Sequence, residues 1–352
     1  MRRLASEVCV IGGGPAGAVV STLLARLGHD VLLIDRSASG RSVIESLTPA
    51  VRLLLDSIGV HLRGGAAGRP VRTSLVRWSD AIPHVVAFPD DGAPLLVDRA
   101  CFDDALRRAA IGAGARLMSP AHATRVRRHS ADWEVTITNG ARERAVTSRF
   151  LVDASGRSSR LGGSRESRSA RVVALHGIWP DARIFDHDMM LDRSRLGWCW
   201  GSVMPGECGV QAIAFVPADR LRRMETGDRR ALYRHVIASM PLAAALTSGS
   251  TLGSLRVRDA SVSVAAAVID EHFIRIGDAS ATVDPLSSTG VQRAIQSAIS
   301  GSVAAHTILT RPRATAAALR EYRLAQRRSA LHHAAAAAAF YAAPSFCSDD
   351  IV

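Results

Sequence analysis

The chain contains no lysine: all 44 basic residues among its 352 are arginine, which against 32 acidic residues leaves a formal net charge of +12. Coding bias explains arginine in place of lysine but not the surplus, which points to an acidic partner or an anionic substrate. Aromatic residues are scarce at 5%, and the arginines are scattered instead of forming a stripe, so no nucleic-acid partner is expected. The five cysteines, Cys9, Cys101, Cys199, Cys208 and Cys347, form no C-x-x-C pair. They are expected to be reduced, in a cytoplasmic protein, and their spacing excludes a disulfide reductase. No apolar run reaches the roughly 18 residues of a membrane span. The Ala334–Ala339 stretch is too short and follows an arginine-rich helix. The first apolar stretch reads as a strand, so no secretory leader is expected. His332, His333 and the other histidines lack metal-ligand spacing, and no metal site is expected.

What the chain does contain is concentrated in VCVIGGGPAGAVVSTLLARLGHDVLLID, residues 8–35. Val8–Ile11 reads as a buried strand that breaks at Gly12, an apolar helix runs to Leu27, and a second apolar run ends at Asp35. Gly12, Gly14 and Gly17 give the G-x-G-x-x-G spacing. Their tasks are a tight turn, close approach of backbone to a pyrophosphate, and close packing of helix on sheet. The helix start at Gly14, Pro15 and Ala16 offers unpaired N–H groups and the positive end of a dipole to phosphates. Asp35, roughly 20 residues on, is placed to accept from a ribose hydroxyl. Strand, glycines, helix, strand and acid in register make a dinucleotide site.

Elsewhere the spacing predicts an amphipathic helix over Ile44–Gly59, strands at Thr73–Trp78 and His84–Phe88, and a helix over Cys101–Gly112. Ala113–Met118, His122–Arg128, Trp133–Thr138 and Ala145–Thr147 suit an antiparallel meander, with Asn139-Gly140 a hairpin signal. Arg149–Val152 reads as a buried strand ending at Asp153, and 171–264 is rich in strands. Phe273–Ile276 is a further strand before Gly277-Asp278, and helices start near Gly290 and Arg313. The division this implies is a discontinuous dinucleotide-binding domain (1–72, 95–170, 268–345), a substrate domain (73–94, 171–267) and a tail (346–352).

Several segments in order resemble FAD-dependent oxidoreductases of the aromatic hydroxylase type (group A flavin monooxygenases), a group that includes tryptophan halogenases and geranylgeranyl reductases. They are Gly12–Gly17 with Asp35-Arg36; Arg41 followed by Ile44-Glu45-Ser46-Leu47-Thr48-Pro49; Asp98-Arg99 before a helix; Asp153-Ala154-Ser155-Gly156-Arg157; Arg275-Ile276-Gly277-Asp278-Ala279; and Asp284-Pro285-Leu286-Ser287-Ser288-Thr289-Gly290. The resemblance implies an α/β fold. Its Rossmann-like FAD-binding domain, of glutathione-reductase type and p-hydroxybenzoate-hydroxylase-like, interleaves with a smaller antiparallel β-sheet substrate domain. Asp278 would accept from the ribityl hydroxyls, or else serve as a helix cap or turn residue. Pro285, Gly290 and Val291 would aim a helix start at the isoalloxazine ring, whose reduced form is negative near N1 and O2. Asp284 either joins them or caps the turn. Arg36, Arg41 and Arg99 are candidates for the pyrophosphate because a guanidinium fork suits phosphate oxygens. Ser46 belongs to the same cofactor-binding set. Asp153 lies on the adenosine side or forms an Asx-turn.

The flavin would carry the chemistry, and three subclasses compete. In the halogenases of this resemblance a lysine delivers hypohalous acid, and this chain has none. Their W-x-W-x-I-P signature is half met, because Trp198-Cys199-Trp200 is followed by Pro205, two residues late. The same segment resembles a strand of geranylgeranyl reductases. Trp198 and Trp200 share one face of a strand and either pack the core of the substrate domain or line the pocket over the flavin. Monooxygenation fits best: hydroxylation of an aromatic, tryptophan-like substrate, free, peptidyl or carrier-bound, through a flavin C4a-hydroperoxide formed with O2. The chain is similar in length and in Glu45-Ser46-Leu47 to compact flavoproteins that hydroxylate a precursor's tryptophan during quinone-cofactor maturation. Glu45 is the candidate for proton handling, or a structural hydrogen-bonding group. No second G-x-G-x-x-G follows a strand, so NAD(P)H would bind transiently or a separate flavin reductase would supply electrons. A non-catalytic flavin-binding maturation partner stays open as a different class.

Overall fold

Val8, Cys9 and Val10 are wholly buried in strand β1 (Leu4–Ile11), which requires layers on both faces of a sheet. The structure is a computed structural model describing residues 4–36, 43–78, 82–130, 132–140, 142–182, 186–204, 209–221 and 226–341. β1 lies in parallel between β2 (Val31–Ile34) and β11 (Arg142–Asp153), with β8 (Arg116–Met118) parallel beyond β2. Helix α1 (Pro15–Arg26) makes the crossover from β1 to β2 that parallel pairing demands. β19 (Phe273–Arg275) runs parallel to the end of β11. The first half of β11 continues antiparallel into β10 (Asp132–Asn139) and β9 (His122–His129). Helices α1, α3 (Arg99–Gly112) and α6 (Gly290–Thr310) pack on one face through Val19, Phe102 and Ile295, among others. α7 (Thr315–Tyr341) joins this layer through buried Tyr322, whose hydroxyl donates to the Arg275 carbonyl at 2.6 Å.

A second sheet has the order β17 (Ser254–Asp259), β13 (Val172–Trp179), β16 (Val210–Pro217), β15 (Gly197–Val203), β14 (Met189–Ser194), β5 (Thr73–Arg77), β6 (His84–Ala87). Its pairings are antiparallel except that of β14 with β5. Helices α4 (Thr226–Ala238) and α5 (Pro241–Leu246) cover one face through Tyr233, Val236, Met240 and Leu246. Gly177 has to lack a side chain here, because a Cβ would lie 2.2 Å from the Tyr233 hydroxyl. That hydroxyl donates to the Ala212 carbonyl (2.8 Å) and accepts from Trp179 Nε1 (3.1 Å). The other face is left for the cleft described below.

Two smaller sheets complete the α/β fold: β3 (Ile44–Leu47), β7 (Leu95–Asp98) and β4 (Arg69–Pro70), and β12 (Arg165–Ser167) with β18 (Ser263–Ala265). Between Ile44 and Gly59 the structure differs from the predicted helix. Ile44–Leu47 is strand β3, and helix α2 covers only Ala50–Ser57. Pro49 is the reason: it disfavours helical backbone at Thr48 while fitting the first turn of a helix that starts after it. The meander is also shorter than predicted. β8 returns from α3 and therefore lies parallel to β2, while Ala145–Thr147 and Arg149–Val152 are halves of the uninterrupted strand β11.

Among the described residues no helix is long and apolar enough to cross a membrane. None of their Cys, His, Asp and Glu side chains gather into a group of three that could hold a metal. Burial pushes the Cys9 thiol up to about 12 and raises that of Cys199 further, so both stay protonated.

Candidate active site

One cleft of about 1270 Å³ is lined by residues of both large sheets, from the Gly12–Ala16 turn to Gly290 and Val291 at the start of α6. Ordinary ligand pockets occupy roughly 300–1,000 Å³, so there is room for an extended ligand and a second molecule.

The first turn is shaped by its glycines. Gly12 takes φ +105°, and a Cβ there would lie 2.4 Å from the Ala154 carbonyl oxygen. At Gly17 a Cβ would sit 1.8 Å from the carbonyl oxygen of Gly12, so the helix can approach the turn only without a side chain. A Cβ on Gly14 would meet no protein atom within 4 Å, and the residue lines the cleft. Gly14, Pro15 and Ala16 open α1, which has no side-chain cap and no acid in its first turn. Asp35 lines the cleft beside them. Its Oδ1 accepts from the Gly13 N–H at 3.1 Å and its Oδ2 from Arg107 at 3.3 Å. Arg107 was not singled out from the sequence, although Arg99, Asp103 and Arg107 recur at four-residue spacing and so share a helix face.

Arg36 lines the cleft with His122 and Arg160, which are 2.9 Å apart. Burial, then Arg160 and Arg36, hold the His122 pKa down. Arg41 lies outside the described residues. Ser46 and Glu45 reach the cleft from β3. Arg99, a candidate for the pyrophosphate, lines the cleft and donates to Glu45 Oε2 at 2.6 Å and to both Asp103 oxygens at 3.0 Å. Burial disfavours its charge, but Glu45 and Asp103 outweigh that and raise its pKa. Of the two alternatives for Asp153, the structure shows the turn. The residue is fully buried away from the cleft and accepts from Ser155 N (3.1 Å) and Oγ (2.6 Å), Ser159 Oγ (2.6 Å) and Leu161 N (3.2 Å). This is the turn-building role.

At the other end, β19 leads into Gly277, which takes φ +57° and whose added Cβ would be 3.0 Å from the Ala16 Cβ. The two distant turns therefore touch. The Gly277 N–H donates to Ser297 Oγ at 2.8 Å. Asp278 caps no helix; its Oδ2 lies 3.5 Å from Arg157 Nε at the cleft wall. Burial raises its pKa against the pull of Arg157 and Arg293. Asp284 accepts from the Leu286 N–H at 2.9 Å and so caps its turn. Pro285, Gly290 and Val291 line the cleft, and α6 starts without a side-chain cap or an acid in its first turn.

The open face of the second sheet forms the remaining wall. Trp198 is buried and stacked on Phe215, with ring centres 3.9 Å apart and planes 17° apart, and Trp78 lies 6.2 Å away. Trp200 is half-buried on the same face. Both tryptophans line the cleft, and Leu286 from the turn before α6 packs into their cluster. Trp198 thus packs a core and lines the pocket at once. Gln211, fully buried on β16, was also not foreseen. Its amide donates to the Ile44 carbonyl (2.6 Å) and Ser202 (3.2 Å), and its oxygen lies 3.3 Å from the Ile44 N–H and 3.1 Å from His176 Nε2.

Residues 5–300 match the FAD binding domain family. The putative FAD-dependent oxidoreductase LodB of Marinomonas mediterranea is 27% identical over 307 residues, covering 83% of this chain and 82% of LodB. The flavin-dependent halogenase armH5 of Armillaria mellea is 29% identical over 351 residues, covering 87% of this chain but only 64% of armH5, under two thirds of that protein's length. The structure of the myxobacterial chondrochloren halogenase CndH aligns with a TM-score of 0.82 at 26% identity, covering 96% of this chain and 83% of CndH. The peptidyl tryptophan dihydroxylase QhpG aligns at 0.76 and 23% identity, covering 93% and 72%, a likeness of fold alone. A match spanning residues 5–300 of 352 decides membership: the chain belongs to the FAD binding domain family and is an FAD-dependent enzyme of the oxidoreductase class.

Proposed function

We propose that the protein is an FAD-dependent monooxygenase that hydroxylates an aromatic, tryptophan-like substrate. The observation that carries this reading is the contact between Leu286, in the turn before α6, and the Trp198–Phe215 cluster, inside the cleft that also holds the Gly12–Ala16 turn. The cleft suits FAD on its own features. Gly14 leaves open space at an uncapped helix end, α6 presents a second such end, and neither helix has an acid in its first turn. Gly14–Ala16 would hold the pyrophosphate, with Asp35 at the adenosine ribose, Asp278 at the ribityl hydroxyls, and Pro285, Gly290 and Val291 at the ring.

Bound there, FAD would supply oxygen activation after reduction by NAD(P)H or by a separate flavin reductase. The chain's own residues have other tasks. Trp198, Trp200 and Phe215 give a flat apolar wall that orients an aromatic ring and excludes water. Glu45 has Oε2 held by Arg99, which leaves Oε1 to take the proton released as the ring is hydroxylated. The absence of lysine speaks against halogenation, because hypohalous acid transfer in halogenases of this resemblance uses one.

A second reading, reduction of an apolar substrate, is favoured by Val76, Val86, Met189 and Leu191, which extend the wall beyond the tryptophans. Turnover of candidate aromatic compounds with NADPH, with and without an added flavin reductase, tests both readings. The expected result is a product heavier by one oxygen atom, formed only in air and unchanged in excess chloride. Anaerobic reduction of the substrate, or a chlorinated product, would overturn the proposal.

A further inference from the structure

The wall opposite the flavin turns is one continuous sheet face, and its character changes across the strands. In register, Trp200 on β15 faces Leu191 on β14 and Ile213 on β16, and Phe215 lies between Trp198 and Ala174. Across β13, Ala174 and His176 stand opposite Arg258 and Arg256 on β17. Residues two apart share a face, so the aromatic wall ends in two arginines on the edge strand, and both line the cleft. Three other cleft arginines have partners. Arg99 holds Glu45 and Asp103, Arg157 meets Asp278 and the Ser261 carbonyl, and Arg160 meets His122. Among the described residues, Arg256 and Arg258 have no hydrogen-bond or ion-pair partner. The adjacent Asp259 is occupied by the Ser261 N–H (3.0 Å) and hydroxyl (2.6 Å). His176 adds no charge, since burial and then the two arginines hold its pKa down against its bond to Gln211.

We propose that Arg256 and Arg258 form an anion-binding subsite, and that the aromatic substrate carries a carboxylate or phosphate on a spacer. This deepens the hydroxylation reading and rests on it for the aromatic group. Their Cα atoms are about 6–7 Å apart, the rise of two strand residues, so two guanidinium forks can converge on one anion. Two like charges that close repel one another, and a bound anion relieves this. The spacer follows from the strand count. β16, which carries Phe215, is two strands from β17, roughly 10 Å away at about 4.8 Å per strand. The arginine side chains recover part of that distance. The anion therefore belongs several bonds from the ring, and a benzoate is too short.

The test is binding to the FAD-loaded protein by calorimetry without turnover, so its outcome is separable from failure of the hydroxylation reading. 5-Phenylpentanoate is compared with 5-phenylpentanamide, and a blocked Trp-Gly-Glu tripeptide with its Trp-Gly-Gln counterpart. The charged member should bind about tenfold to a hundredfold more tightly, the range for hydrogen bonds to charged groups. Added salt should shrink that ratio. In the Arg256→Gln/Arg258→Gln double variant the ratio should fall to about one while the neutral ligands bind as before. A preference within the phenylpentanoate pair makes the anion the substrate's own; a preference in the tripeptide pair alone assigns it to a neighbouring acidic side chain. Equal binding of charged and neutral ligands in both pairs overturns the proposal. So does a preference that survives in a double variant of unchanged FAD content and melting temperature. The salt dependence in the unsubstituted protein applies the same criterion if that variant does not fold.

Discussion

Alanine at Gly17 and alanine at Gly14 should fail in opposite ways, although the two glycines belong to one motif. A Cβ at Gly17 would lie 1.8 Å from the Gly12 carbonyl oxygen and 3.2 Å from the Ala154 Cβ. Because the nearer atom is backbone, α1 would have to move relative to the β1 turn. Overpacking of this kind costs about 1–3 kcal/mol. The gain of about 1 kcal/mol from replacing a helical glycine recovers part of that, and a backbone clash belongs at the upper end. A net loss of about 2 kcal/mol corresponds to a fall of roughly 3 °C in melting temperature for a chain of this size. Gly14 differs. Its φ of −73° suits any residue and its Cβ meets nothing. The weaker capping by alanine and the reduced freedom of the unfolded chain are each below about 1 kcal/mol and oppose one another. Gly14→Ala should therefore melt within about 1 °C of the unsubstituted protein when flavin-free, yet bind FAD at least tenfold more weakly, because its methyl group enters the space where the phosphates would approach. Thermal melts of the flavin-free proteins and FAD titration by fluorescence quenching measure the two effects separately. Undiminished FAD affinity in Gly14→Ala would refute the phosphate placement, and an unchanged melting temperature in Gly17→Ala would refute the steric argument.

Three further substitutions bear on the remaining parts. Asp278→Ala should weaken FAD retention on gel filtration, read from the flavin spectrum; full retention would remove Asp278 from the ribityl position. Gln211→Leu strips partners from the buried Ile44 backbone and from His176, and should cost about 2–4 kcal/mol in a urea melt, on the scale of two unsatisfied buried groups; a loss below ~0.5 kcal/mol would show the link to be incidental. Asp188 is subject to burial, which raises its pKa, but Arg69 and the N–H groups of Arg72 and Thr73 prevail and lower it. Because the folded pKa is the lower one, Asp188 stabilises fully above the ordinary carboxylate pKa, and the contribution fades as pH falls from about 4 towards 2. Asp188→Asn should lower the melting temperature at neutral pH and leave it closer to that of the unsubstituted protein at acid pH; an equal deficit at every pH would contradict this.

The Gly12–Gly17 turn was legible because Gly12 and Gly17 answer local steric demands at a spacing that Gly14 completes. The turns at Gly277-Asp278 and Pro285–Gly290 were legible through the family resemblance, and the shared face of Trp198 and Trp200 through strand alternation. Partners chosen across the chain were not. Arg99 looked like a phosphate ligand because arginine next to a helix start suits one, yet it sits on Glu45, 54 residues away. Gln211 reaches Ile44 across 167 residues, and no local pattern announces it. Ile44–Leu47 has apolar spacing that a helix would also accept; its pairing with Leu95–Asp98 decides for strand. Arg256 and Arg258 were inconspicuous in a chain with 44 basic residues, and only their place on a sheet face distinguishes them.

Glu45 is positioned from both sides of the cleft. Its strand, β3, is tied to the aromatic-walled sheet through Gln211 at Ile44, one residue before it. Its carboxylate is tied to α3 through Arg99, whose other bonds go to Asp103 on the same helix. α3 in turn carries Arg107, which holds Asp35 at the first turn. A chain of hydrogen bonds and ion pairs thus runs from the dinucleotide turn through Glu45 to the sheet that would receive the substrate. A buried amide with partners on two elements resists sliding in a way that apolar contacts do not, because displacement leaves polar groups unpaired. The distance between Glu45 and the tryptophan wall is therefore set by this link rather than by packing alone. If Glu45 does take the proton, Gln211→Leu should lower kcat more than it raises KM, since it disturbs where the carboxylate stands while leaving the wall intact.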